Sequence, residues 1–111
     1  MLTKELGIIK DIYMGMGGFE NAMFGLSITV GRPESGWCAQ DFIGSWDRDA
    51  DEFCKWTNGD RDVEFLKASL KIRELLKLSK KRYLYELKGT PVEAIFEDNI
   101  LKSWRVLIEV I

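Results

Sequence analysis

The chain has 111 residues, enough for one domain that buries roughly two thirds of its unfolded surface, so a core requires neither a disulfide nor a metal. Hydrophobic residues make up 46% and charged residues 31%, a globular balance that excludes a disordered tail. Sixteen basic against eighteen acidic residues give a net charge of −2, so no overall field draws the protein to duplex DNA.

Residues Leu6 to Tyr13 alternate loosely between apolar and polar and are rich in isoleucine, which predicts a first strand. Asp11 interrupts this apolar run, and no stretch approaches the ~20 apolar residues that span a bilayer, so a soluble cytoplasmic protein is expected. Met14 to Gly18 carries three glycines and predicts a wide hairpin loop. From Ala22 to Val30 the pattern is regular, with Phe24, Leu26, Ile28 and Val30 on one face and Met23, Gly25, Ser27 and Thr29 on the other. Gly31 to Gly36 reads as a polar turn. Trp37 to Trp46 then resumes an extended pattern with Cys38, Gln40, Phe42 and Trp46 on one side.

Asp47 to Glu52 holds four acids in six residues and predicts an exposed loop or a short helical turn. Several N-cap side chains between Trp56 and Asp60 precede Arg61 to Tyr85, a stretch without glycine or proline that contains the one long helix. On a helical wheel Phe65, Ala68, Ile72, Leu75 and Leu76 share one sector, which is expected to face the sheet. Val63, Leu66 and Leu70 form a second, nearly opposite sector continued by Arg73 and Lys77, which points to self-association as a homodimer. The SKKR run from Ser79 places cations near the helix C-terminus. After Gly89 and Pro91, Val92 to Glu97 and Ile100 to Ile111 predict a closing hairpin turned at Asp98 and Asn99.

The chemistry-bearing residues are few. The chain has no histidine, and a zinc site built from Cys38, Cys54 and carboxylates would be an uncommon set, so no metal or cofactor is expected. Both cysteines are read as reduced, buried small hydrophobes rather than nucleophiles. The cluster at Gly15, Gly17 and Gly18 is followed by a strand pattern and by no Lys-Ser/Thr pair, so a hairpin hinge is favoured over an anion-binding loop. Asp47, Asp49, Asp51 and Glu52 lack the glycine-centred calcium-loop spacing. Trp37, Phe42, Trp46 and Trp56 fall close to these acids. Aromatic residues in net acidic surroundings favour packing or a protein interface over a platform for single strands. Trp37 with Arg32, or Trp104 with Arg105, supplies the stacked ring and cation of a small-anion or nucleotide contact. Catalysis has little support, since nothing in the sequence brings two carboxylates together, and a non-enzyme is expected.

The runs GFENAMFGLSITV, CKWTNGDR and LKGTPVEAIFEDNILKSWRVLIEVI carry a resemblance that covers the whole chain. The protein resembles short bacteriophage and prophage proteins with a G-G-F/Y-x-N/D-A start, a C-K-W-T turn and a P-V-E to L-K-S-W-R ending. The resemblance implies no catalytic residue. It implies a bacterial host cell as the setting, and a role as an inhibitor or sequestering agent directed at host machinery.

Together these features predict one α+β domain, an antiparallel sheet of about five strands in the order β-β-β-α-β-β packed against one long helix. The expected function is a non-enzymatic phage accessory protein that blocks a host defence or nucleic-acid-processing protein. Its surface would comprise Trp37, Phe42, Trp46, Asp47, Asp49, Asp51, Glu52 and Trp56. A sponge for a small nucleotide immune signal is the alternative, and a single-stranded nucleic-acid accessory factor the third reading.

Overall fold

The first strand sets the architecture. In a computed structural model that describes all residues from Met1 to Ile111, β1 runs from Leu2–Gly17 and serves two hairpins. Residues 2–8 pair with β4 (Pro91–Glu97), and residues 8–17 pair with β2 (Met23–Gly31). β3 (Cys38–Trp46) flanks β2 and β5 (Ile100–Val106) flanks β4, so the sheet order is β3-β2-β1-β4-β5 with every pair antiparallel. With α1 (Asn58–Ser79) this is the expected α+β chain order.

β1 is longer than residues 6–13, and its glycines are strand rather than loop. Gly15 and Gly17 stay in register with Gly25 and Met23. The Tyr13 ring lies in van der Waals contact over Gly15, and Phe42 with the Tyr13 hydroxyl crowds the place a side chain would take at Gly17, so aromatic side chains cover backbone that glycine leaves bare. The turn comes only at Gly18 (φ 66°), followed by a 3-10 turn at Phe19–Asn21.

A register slip between Ile9 and Asp11 leaves Lys10 outside the ladder, and an extra residue of this kind bends a strand and raises its twist. The consequence is large. In a flat sheet β3 and β5 would stand ~19 Å apart, four strand spacings. Here Trp104 Nε1 on β5 donates to Asp41 Oδ2 on β3 at 2.9 Å, and the Trp37 and Phe96 rings meet edge-on at 5.3 Å. The sheet is folded over on itself.

Its inner face buries Ile9, Ile12, Leu26, Ile28, Val30, Val92 and Val106 against Ala68 and Leu75 of α1 and Leu87. The helix presents the sector expected to face the sheet, with Phe65 edge-on to Phe24 at 5.5 Å. α1 begins at a reciprocal cap, Thr57 Oγ1 accepting from the Asp60 amide and Asp60 Oδ2 from the Thr57 amide. It ends short of Tyr85 because Lys80 turns left-handed (φ 56°), and a 3-10 turn at Leu84–Leu87 then inserts Leu87 into the core.

Asp98 and Asn99 both take positive φ, the two-residue turn that matches strand twist. β5 stops at Val106 rather than continuing to Ile111. Its partner β4 starts at Pro91, whose carbonyl accepts from the Leu107 amide, and beyond that point Ile108 and Val110 lie exposed in a 3-10 turn.

Candidate functional site

At Trp46 the chain leaves the ladder, and the Asp47 amide donates to the Ala22 carbonyl at 3.0 Å. The loop of residues 47–57 that follows is braced by side chains throughout. Asn58 Oδ1 accepts from the Ala50 amide at 2.7 Å. Arg61, only 15% exposed, donates from Nη1 to the Arg48 carbonyl at 2.9 Å and to Asp49 Oδ1 at 2.7 Å, and from Nε to Asp62 at 3.0 Å. Asp49 and then Asp62 hold the Arg61 guanidinium further above its ordinary range.

The inner turn of the loop is organised by Asp51. Its Oδ1 accepts from the Phe53 amide at 2.9 Å and from the Cys54 thiol at 3.4 Å, while Arg48 lies 3.6 Å from Oδ2. These groups, the Phe53 amide first and the Cys54 thiol second, hold the Asp51 carboxyl below the usual carboxylate range. Arg48 also stands 5.2 Å over the Trp56 ring and donates to Cys54 Sγ at 3.4 Å. Phe53, carried on this braced backbone, is 86% exposed. Phe19, 66% exposed, meets Trp46 edge-on at 6.3 Å at the same end of the β2–β3 ladder.

The sequence-predicted surface therefore divides. Trp46, Asp47, Asp49, Asp51, Glu52 and Trp56 belong to the loop end. Phe42 lies on the sheet face away from α1, over Gly17. Trp37 sits at the opposite end of β3 against Phe96, its ring over the backbone of Gly7 and its Nε1 buried without a partner. Asp49 and Asp51 direct their charges to Arg61 and Arg48, whereas Asp47 and Glu52 enter no ion pair of the chain. Phe53 and Phe19 were not singled out by sequence. Phe53 is an apolar residue outside any strand or helix period, in a loop with no core face to receive it, and that was the available sign.

No protein-family model, curated protein or solved structure matches this chain.

The small-anion contacts are occupied or separated. Arg105 donates to Glu93 at 3.2 Å and to both carboxylate oxygens of Glu109 at 3.1 and 3.0 Å. Glu109 and then Glu93 raise its pKa, and Arg105 in turn lowers that of Glu109. Trp104 faces Lys71 at 5.0 Å, and the recess they share with Leu75, Leu78 and Ile108 holds about 230 Å³, below the ~300 Å³ of small ligand sites. Arg32 is exposed in the β2–β3 turn, where its amide donates to the Trp37 carbonyl at 3.1 Å, but its guanidinium does not stack on the Trp37 ring, which packs against Phe96 instead.

Neither cysteine is the buried hydrophobe that sequence predicts. Cys38 is exposed because its strand position puts it on the sheet face that α1 does not cover, and Cys54 is half-buried in the loop network; the two thiols are free. No group of three His, Cys, Asp or Glu side chains is placed to hold a metal ion, and no helix is long and apolar enough to cross a membrane. Val63, Leu66 and Leu70 are 51%, 56% and 50% exposed, so their own chain does not cover the second helix face.

Proposed function

We propose that this is a phage-encoded accessory protein that acts by binding, with the loop of residues 47–57 as its docking end. The observation that carries the reading is Phe53. An aromatic ring held in water on a loop braced by Arg61, Asn58, Asp51 and Arg48 is an anchor whose ordering cost is met before binding. Phe19 beside Trp46 offers a second exposed ring at the end of the β2–β3 ladder, and Asp47 and Glu52, against the single unpaired base Lys55, leave the loop with unneutralised acidic charge. Such a surface fits an apolar pocket rimmed by cations, as found on proteins that handle nucleic acid. The target is a host defence or nucleic-acid-processing protein in the cytoplasm of a bacterial host, and no chemistry on a substrate is involved.

The test is capture from nuclease-treated host lysate with the wild-type chain, Phe53→Ala and Phe19→Ala, with mass spectrometry of proteins and of small molecules released on denaturation. One host protein retained by the wild type and lost with Phe53→Ala is the expected result. Retention unaffected by Phe53→Ala overturns the assignment, as does a released nucleotide with no captured protein, or binding that depends on single-stranded nucleic acid and falls steeply with salt.

A further inference from the structure

The outward face of α1 carries a stripe that runs, in chain order, from acid to apolar to base. Asp62 flanks its amino-terminal end, Val63, Leu66 and Leu70 form its middle, and Arg73 and Lys77 continue the same sector. The three apolar side chains are half exposed, and Arg73 and Lys77 enter none of the ion pairs of the chain. Asp62 is bonded only at its near oxygen, to Arg61, and its side chain remains 62% exposed.

The chain also exposes more surface than its mass requires. Its 7417 Å² compares with about 6,300 Å² for a monomeric protein of 12.8 kDa, an excess of about 1,100 Å². A standard interface takes about 800 Å² from each partner. The radius of gyration, 15.2 Å against about 13 Å for a chain of this length, reflects the same excess in a body of 48 × 35 × 20 Å.

From these observations we infer that the outward stripe of α1 is the interface of a two-fold homodimer in which the two helices pack antiparallel. The polarity of the stripe selects the second copy as occupant. Inverting a helix that is acidic at one end and basic at the other, and laying it on itself, opposes unlike charges twice, whereas a parallel pairing opposes like with like. An axis passing between Leu66 and Leu70 sets Leu66 against the partner's Leu70. It brings Arg73 beside the partner's Val63 and the partner's Asp62, one helical position from register. Leu70 also borders a shallow, open recess between α1 and the edge strand β3, lined mainly by Glu64, Lys67, Lys71 and Glu74.

Sedimentation equilibrium of the full-length chain under reducing conditions tests this inference. At about 100 µM the wild type should sediment at twice 12.8 kDa. Leu66→Glu should weaken the dimer by ~100-fold or more, since it drives a charge into a desolvated contact. Arg73→Glu should weaken it, and Arg73→Glu combined with Asp62→Arg should restore it, an outcome that loss of folding cannot mimic. Leu6→Glu, on the exposed sheet face remote from α1, should leave the mass doubled. A wild type that sediments at 12.8 kDa overturns the proposal. So does a dimer indifferent to Leu66→Glu, one broken by Leu6→Glu, or a charge swap that restores nothing.

Discussion

Trp104 and Asp41 stand on the two outermost strands, and their hydrogen bond holds the sheet in its folded-over shape. A hydrogen bond to an ionised acceptor contributes about 1.5–3 kcal/mol, and both partners here are at most half exposed. Trp104→Phe removes the donor and weakens the contact with Lys71 at 5.0 Å, whose whole worth is about 0.5–1 kcal/mol. Asp41→Ala removes the acceptor and leaves the indole N–H unpaired. Each single variant should therefore lose about 2–3 kcal/mol, or ~8–12 °C in Tm at about 4 °C per kcal/mol for a domain of this size. The cycle separates the bond from the rest, because the Lys71 contact is weakened whether or not Asp41 is present. Urea denaturation followed by far-ultraviolet circular dichroism, on both single variants and the double variant, should give a coupling of about 1.5 kcal/mol or more. Additivity within about 0.5 kcal/mol would mean that the bend at Lys10 and the helix hold the curl alone, and the clasp would then be incidental.

Gly25 and Gly44 face each other across β2 and β3, and a Cβ on either falls on the carbonyl oxygen of the opposing strand, with the opposing glycine's Cα 2.6–2.7 Å away. Backbone cannot move aside as a side-chain tip can, so Gly25→Ala and Gly44→Ala should each cost about 2 kcal/mol or more. Gly59→Ala, whose nearest neighbour is at 3.6 Å, should be neutral or stabilising by the same melt. Asp51 has a folded pKa below its ordinary 3.8, so its stabilisation of the loop is complete above that value and is lost as pH falls through the lower one. The protection of the Phe53 amide relative to its intrinsic exchange rate should fall over that acidic window, and Asp51→Asn should abolish this pH dependence. Phe53→Ser should leave Tm unchanged within about 2 °C, or raise it, while abolishing partner capture; a large loss of stability would make Phe53 a structural residue.

What sequence could and could not disclose follows from range. Alternation in residues 22–30 and the wheel positions of Phe65, Ala68, Ile72, Leu75 and Leu76 are local properties, and each maps onto the face that the structure buries. The Asp98–Asn99 turn was legible for the same reason. The glycines at 15 and 17 misled because freedom to turn is only a permission. The ladder with Gly25 and Met23, and the rings of Tyr13 and Phe42, decide that they remain strand. The length of β5 depended on where a distant strand begins, which no window around residues 106–111 contains. Trp37 and Trp46 lie nine positions apart, and a nine-residue strand of ~30 Å carries them to opposite ends of β3, so proximity in sequence meant separation in space.

The acidic loop changes character once its partners are known. Four acids in six residues looked like a charged surface, but Asp49 and Asp51 are matched by Arg61 and Arg48 within hydrogen-bonding networks. Exposed pairs of this kind contribute little stability singly. Their number here is therefore poorly explained by stability. What they achieve is geometric: with the Asn58 and Asp51 bonds they fix the backbone on either side of Phe53, so that a ring with no core to enter is carried at one place on the surface. A loop needed only to connect β3 to α1 would be served by polar residues with no brace at all. Conservative replacement of the braces, Arg61→Lys in particular, separates the two roles: it retains the charge but loses the forked contact to Asp49, Asp62 and the Arg48 carbonyl.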